Sequence, residues 1–254
     1  MQQVIVSFTT TPDRIEHIQP MIESLEKQSY PQFRTILWLC HTYTRSKKKM
    51  TQKEVPFFIL ASNIEVRFTE DYGSNTKLLP TLKLITDPNS ILVTADDDTI
   101  YPVDWLKGLV EASVRDGTRA YGYRGKIFKR KKLPFLPWIK RVIRYEESKT
   151  LFFPKASESK KVDLLTGVWG ICYRRSFFND SYFKLDECKA ALHNDDIWAN
   201  GHLARNLIER ICIGIPERFQ DIDMEAEGIK RLWDSVNNGQ GLNNQVFKYF
   251  KHDF

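Results

Sequence analysis

The run Ile91-Leu92-Val93-Thr94-Ala95 passes without a break into Asp96-Asp97-Asp98. A short, continuous apolar run of this kind reads as a buried strand. Three adjacent carboxylates at its mouth repel one another, so the fold needs a reason to keep them. In open α/β sheets ligands bind at the carboxyl ends of strands, often where the strand order reverses. A divalent cation there would neutralise the cluster and bridge to phosphate oxygens, and hard oxygen ligands suit Mg2+ or Mn2+. Alternation of side chains lets Asp96 and Asp98 face one way while Asp97 points elsewhere. The plain alternative is a solvated acidic turn in which Asp98 or Asp104 caps the next helix.

The flanking sequence favours a sheet. Residues 4–8, 35–40 and 64–68 read as three further strands, and residues 76–85 as a helix before the 90–95 strand. Thr11-Pro12 predicts a helix start, with Ile15, Ile18, Ile22 and Leu25 on its apolar face. Pro20 inside that pattern predicts a kink or a late start. The basic stretch from Arg45 to Lys53 reads as a surface loop. This repeated β-α alternation predicts an α/β fold with a doubly wound, mostly parallel sheet. From residue 120 the texture changes to aromatics, lysines and prolines, followed by a short strand over 168–173 and a helix over 195–207. Residues 228–254 read as one or two short helices.

Composition narrows the function. The net charge is +6, yet nine basic and no acidic residues lie between Arg124 and Arg144. The remainder is about −3, so the basicity belongs to one segment and a general nucleic-acid binder is disfavoured. Basic groups among Phe128, Phe135, Leu136 and Trp138 suit an anionic membrane surface, so residues 126–144 are a candidate peripheral membrane contact. They equally suit an acidic polysaccharide or a solvated hairpin. No stretch approaches the ~20 apolar residues that span a bilayer, and the N-terminus lacks the pattern of a signal peptide. Cys40, Cys172, Cys188 and Cys212 are too scattered for a zinc site or a disulfide scaffold, which fits a reducing cytoplasm.

Five segments, in order, carry a resemblance. Ala95-Asp96-Asp97-Asp98-Thr99-Ile100-Tyr101-Pro102 resembles the D-x-D motif of GT-A glycosyltransferases, in the form seen in small bacterial enzymes of surface-polysaccharide synthesis. Ser7 to Arg14 resembles the loop that cups base and ribose, with Thr9 and Thr10 in it. Tyr72-Gly73-Ser74-Asn75-Thr76-Lys77 resembles the segment whose lysine reaches toward the donor. Thr166-Gly167-Val168-Trp169-Gly170 resembles the acceptor-side strand, and Asn194-Asp195-Asp196-Ile197-Trp198 the acidic motif that heads the helix of the catalytic base. The resemblance covers roughly residues 3 to 207. One departure stands out: no clear C-terminal metal ligand is present, and His252 is the only histidine in the tail.

The resemblance implies a GT-A, Rossmann-like fold in a single domain over 1–254. Residues 1–115 would form the nucleotide-sugar half, 116–215 a smaller acceptor-binding and catalytic half, and 216–254 a helical tail. It implies transfer of a sugar from a nucleotide diphosphate, UDP by default, to a glycan or lipid-linked acceptor. Asp98 and Asp96 would ligate Mn2+ or Mg2+, with Asp96 and Asp97 also toward the nucleotide sugar, and Arg14 and Lys77 would add positive charge. Asp196, ahead of Asp195, would be the general base of an inverting reaction. Trp169 would stack on a sugar, although a core role is the commoner fate of a strand tryptophan. His193 and His202 are expected to be structural. The implied location is the cytoplasm, with contact at the inner face of the membrane. Two rivals remain: a haloacid-dehalogenase-like phosphatase using Asp96 and Asp98, and a non-catalytic carbohydrate- or membrane-binding module.

Overall fold

The computed structural model describes residues 2–131, 142–223 and 241–254. Four strands, β1 (Val4–Thr9), β2 (Arg34–Cys40), β3 (Ile64–Thr69) and β4 (Ile91–Thr94), pair in parallel in the order β3-β2-β1-β4. The chain steps outward from β1 to β3 and then returns to β4 on the other side of β1. The strand order therefore reverses between β1 and β4, and their carboxyl ends flank the crevice where such sheets bind ligands. Helices α1 (Gln19–Glu26), α2 (Phe57–Leu60) and α3 (Leu79–Leu84) lie in the connections, and α4 (Trp105–Arg115) follows β4.

Beyond β4 come β5 (Thr99–Ile100), β6 (Arg119–Gly122), β7 (Arg124–Lys131), β8 (Val142–Phe152), β9 (Ser159–Val162), β10 (Leu164–Leu165), β11 (Ile171–Arg174), β12 (Glu209–Ile213) and β13 (Gln220–Asp221). The main sheet continues from β4 as β11-β6-β12-β9. Of its strands only β11 and β9 oppose the common direction, so the sheet is mixed but mostly parallel. β10, β7 and β8 form a second sheet, and β5 pairs with β13 beside the acidic loop. Helix α5 (Asp195–Arg205) and helix α6 (Leu242–Tyr249) pack on one face.

Alternation along the strands explains why the sheet is covered on both sides. Ile5, Ile36 and Leu92 enter one core with Trp198 and Leu203 of α5, while Val4, Val6, Leu37 and Val93 enter the other with Trp105 and Leu109 of α4. Each of these side chains is fully or almost fully buried, a contribution of about 1.5–3 kcal/mol apiece for the aliphatic ones. All four cysteines are free, and Cys172 and Cys212 are buried, as apolar fillers would be.

Several element boundaries differ from the sequence expectation. Thr11 does not cap a helix; its carbonyl receives the N–H groups of Arg14 and Ile15 in a turn, and α1 begins after Ile18 with Pro20 in its first turn. Proline is harmless there because that N–H has no intrahelical partner. The helix expected over 76–85 is split into a 3-10 turn, Gly73–Lys77, and α3. The strand expected over 168–173 starts only at Ile171, because Trp169 (φ 72°) and Gly170 (φ 88°) are left-handed and turn the chain. Of the basic segment 126–144, residues 132–141 lie outside the described residues, and the rest belongs to the β7–β8 hairpin. Much of the 228–254 expectation lies outside them too, and α6 is what the tail shows. Among the described residues no helix is long and apolar enough to cross a membrane.

Candidate functional site

A cleft of about 1760 Å3 opens at the carboxyl ends of β1 and β4. Of the residues singled out from the sequence, Thr9, Thr10, Arg14, Lys77, Asp96, Asp97, Asp98, Thr166, Gly167, Asp195 and Asp196 all line it. Trp169 and His252 do not. Trp169 stacks flat on Phe219, centroids 4.8 Å apart, and its carbonyl receives Trp105 Nε1 at 2.7 Å, so it buttresses the site from behind. His252 is exposed beyond α6 and is not among the lining residues.

The three aspartates behave differently because the fold treats each differently. Asp96 is held by its own peptide: its N–H donates to the Tyr101 hydroxyl at 2.7 Å, and that hydroxyl donates to the Asp96 carbonyl at 3.2 Å. This is what the tyrosine of the motif does, buried against Trp105 with ring centroids 4.1 Å apart. Asp97 is the inward one, accepting from Thr10 Oγ1 at 2.6 Å and pairing with Arg14 at 2.7 Å. Asp98 is the most open of the three, and it meets the same guanidinium at 2.9 Å. The expectation that Asp96 and Asp98 face one way and Asp97 another is corrected here: Asp97 and Asp98 converge on the same Arg14 nitrogen while Asp96 turns to Lys77, because the chain leaves the extended strand after Thr94 and strict alternation ends there. The capping alternative fails too, since neither Asp98 nor Asp104 caps α4 with its side chain.

Lys77 joins the two halves of the cleft. Its ammonium lies 2.8 Å from Asp96 Oδ1 and 2.8 Å from Asp195 Oδ2, and the residue is only 9% exposed. Its backbone is tied to the central strand, since Ser7 Oγ donates to the Lys77 carbonyl at 2.5 Å. On the far wall Asp196 accepts the Gly167 N–H at 2.8 Å. A Cβ at Gly167 would stand 2.5 Å from Asp196 Oδ1, so glycine is what lets the backbone come this close.

Charge in the cleft is out of balance. Eight aspartates line it against five lysine and arginine side chains, and the two acidic motifs are ion-paired through Arg14 and Lys77. Burial, reinforced by its charged neighbours, raises the Asp97 carboxyl to about 6 even with Arg14 beside it. Burial, then repulsion from Asp195, lifts Asp196 to about 7. Burial also raises Asp96 against the pull of Lys77. Burial would lower Lys77, but Asp195, Asp96 and Asp196 outweigh it and hold the ammonium well above its ordinary value. The excess of negative charge and the all-oxygen donors around Asp96 and Asp98 fit a hard divalent cation. Among the described residues no three histidine, cysteine or carboxylate side chains converge as a complete metal site, so such a cation would need further oxygens from a ligand.

Sequence reasoning missed four positioning residues. Tyr43, just ahead of the basic loop, donates to the Thr10 carbonyl at 3.0 Å. Asn75 donates to the Ala191 carbonyl at 2.6 Å, tying the Lys77 turn to the segment before α5. Asn200 spans Leu165, receiving its N–H at 2.7 Å and donating to its carbonyl at 2.8 Å, which locks α5 to the wall that carries Gly167. Asp221 reaches the cleft because β13 pairs with β5, and the Ile222 N–H bonds the Asp98 carbonyl at 2.7 Å. Asn200, an amide among apolar residues of the 195–207 helix, was the one readable signal; nothing local marks Asp221. His202 is a core residue, its imidazole held neutral by burial, with its pKa down to about 3.

Comparison with solved structures identifies the fold. The crystal structure of S. aureus TarS 1–349 in complex with UDP superposes with a TM-score of 0.53 at 15% identity, over 98% of this chain and 71% of that one. The crystal structure of S. aureus TarS 1–349 by itself gives a TM-score of 0.47 at 13% identity, over 100% and 71% of the two chains. No family model matches the sequence, and the search of curated proteins finds no match. The mixed, mostly parallel sheet with flanking helices is that of a Rossmann-like GT-A fold.

Proposed function

We propose that this chain is a glycosyltransferase that moves a sugar from a nucleoside diphosphate, UDP in the first instance, to a hydroxyl of a glycan or lipid-linked acceptor, with inversion. One observation carries the reading: Asp96–Asp98 after β4 and Asp195–Asp196 at the head of α5 face one cleft and are joined through Lys77. The fold shared with a UDP complex supports the choice of nucleotide.

In this reaction Asp196 takes the proton of the acceptor hydroxyl. The hydroxyl oxygen forms a bond to the anomeric carbon from the face opposite the leaving group, and the bond from that carbon to the diphosphate oxygen breaks with its electron pair. A general base must be ionised to act yet basic enough to accept, and a carboxyl near 7 meets both needs. Gly167 N–H fixes the oxygen that it holds, leaving the other for the proton. Lys77 and Arg14 supply fixed positive charge on the donor side. Asp98 and Asp96 would hold Mn2+ or Mg2+, which supplies charge neutralisation for the departing diphosphate. A role in surface-polysaccharide synthesis, at the cytoplasmic face of the membrane, is the biological setting that this chemistry suits.

Against a phosphatase built on Asp96 stands the placement of the motif, which follows the fourth strand, β4, where such phosphatases resemble one another in carrying it on the first. The test is calorimetric titration with UDP, GDP and CDP, in Mn2+ and in EDTA, on the wild type and on Asp98→Asn. Metal-dependent binding of one nucleotide, lost in the variant, is expected. Binding of no nucleotide under any condition would sink the transferase reading; hydrolysis of simple phosphomonoesters would replace it with the phosphatase, and neither activity with a binding module.

A further inference from the structure

Two cations line the cleft on the acceptor side without a task in the reaction above. Arg124 and Lys126 lie two residues apart on β7, so their side chains leave the same face of the strand. Both line the cleft, as does Thr150, which is paired with Lys126 across the hairpin. This wall adjoins the candidate base: the Thr166 N–H bonds the Arg124 carbonyl at 3.0 Å, and the next residue is the Gly167 that holds Asp196. It is separate from the Asp96–Asp98 loop, where Arg14 and Lys77 already serve.

Keeping the Arg124 charge here without a carboxylate partner is unfavourable for the empty protein. Burial lowers the Lys126 ammonium, Asp196 draws it part of the way back, and Arg124 pushes it down again. The Arg124 guanidinium lies 6.0 Å from the Trp169 ring and makes no ion pair with a carboxylate among the described residues. Sugar hydroxyls can be held by neutral hydrogen-bonding side chains alone. A guanidinium fork beside an ammonium matches the oxygens of a phosphate or a carboxylate.

We propose that the acceptor is an anionic glycan, whose phosphate or uronate group docks on Arg124 and Lys126 while its hydroxyl faces Asp196. This inference rests on the transferase reading and names the substrate class of that site. The anion sets the register of the acceptor, so a neutral chain of the same length is held poorly.

The experiment uses the full chain, with and without saturating UDP, and three probes: glycerol 3-phosphate, trigalacturonate and neutral maltotriose. Calorimetry is run on the wild type, Arg124→Gln, Lys126→Gln and Lys149→Gln. Lys149 is exposed on the same hairpin and does not line the cleft, so it removes an equal charge without touching the site. At least one anionic probe is expected to bind about tenfold or more tighter than maltotriose, and each cleft variant to weaken it about tenfold. The Lys149 variant should stay within roughly twofold, as an exposed charge contributes little. UDP affinity should be the same in all four proteins. Which anionic probe binds separates phosphate from carboxylate. The proposal is overturned if maltotriose binds as tightly, if neither anion binds, if the cleft variants match the wild type, or if they weaken UDP instead. Failure of the wild type to bind UDP would count against the transferase reading alone, since the arms without UDP still decide the anion site.

Discussion

Asp196 and Asp195 are neighbours at the head of one helix, and the fold gives them different chemistry. Asp195 is paired with Lys77 at 2.8 Å, which ties up an oxygen. Asp196 has a single backbone N–H and is raised to about 7 by burial and by the charge of Asp195. The expected consequence is a pH–rate profile for kcat that rises through about 7 as Asp196 ionises, because only the carboxylate can accept the hydroxyl proton. Asp196→Asn should lower kcat by about 10^2–10^4-fold, while UDP affinity changes by no more than roughly twofold, the signature of a group acting in the transition state. Steady-state kinetics beside UDP calorimetry read both. An Asp196→Asn enzyme with near-normal kcat, or a wild-type profile flat from pH 5 to 9, would remove Asp196 from the role. Asp195→Asn should instead act through Lys77 and leave the midpoint of the rising limb displaced downward, since one of the charges that raises Asp196 is gone.

At the level of elements, the site depends on a 3-10 turn wedged under the segment that leads into α5. Gly73 has φ 60°, and a Cβ there would collide with the Leu192 carbonyl oxygen. Asn75 and Ser74 then fasten the same turn to Ala191 and to the Asp195 N–H. Gly73→Ala must therefore move the turn away from α5 or abandon its left-handed backbone, at a cost of about 1–3 kcal/mol. Loss of the Lys77–Asp195 contact should follow, with kcat reduced and the midpoint of thermal unfolding lowered by several degrees. A variant as active and as stable as the wild type would show that the wedge is dispensable. None of this turn was legible as such. Thr76 to Ile85 read as one helix because its apolar spacing is helical, and the break at Leu78 falls just ahead of Pro80, which sits in the first turn of α3 where its missing N–H does no harm. What was legible shares one property, in that local chemistry alone forced it. The apolar strand into Asp96, the parallel order of the first half and the acidic start of α5 needed no partner to be read. Trp169 shows the converse: it sits in a motif of the right order, yet a left-handed turn and the ring of Phe219, 50 residues on, decide where it points. Asn200 and Asp221 likewise have partners, Leu165 and Thr99, that only the folded sheet brings near.

For the whole molecule, the crowding of carboxylates at one end of the sheet has a stability consequence with a definite sign. Asp97 and Asp196 titrate at about 6 and about 7 in the folded chain, above the ~3.9 of an unfolded aspartate. Below pH ~4 both states hold these protons, and the shifts cost nothing. Between pH ~4 and about 7 the unfolded chain releases them while the folded one retains them, so the folded state binds more protons and its stability falls as pH rises. Above about 7 the loss is complete and this contribution is flat. The protein without ligands is thus expected to lose thermal stability from pH 4.5 to pH 7.5 at this site. Asp196→Asn removes one share of the loss and keeps an acceptor for the Gly167 N–H. It should therefore unfold at a higher temperature than the wild type at pH 8 and at the same temperature near pH 4. A gain of ~1 kcal/mol would appear as about 2–4 °C for a chain of this size. Mn2+ with UDP, binding the folded state alone, should flatten the wild-type profile by supplying the missing positive charge and by mass action. Calorimetric melts across pH, for both proteins with and without the pair of ligands, decide it. A variant no more stable than the wild type at pH 8 would mean that the negative charge of the cleft is already balanced within the fold, and with it would go the physical reason for a cation at Asp96 and Asp98.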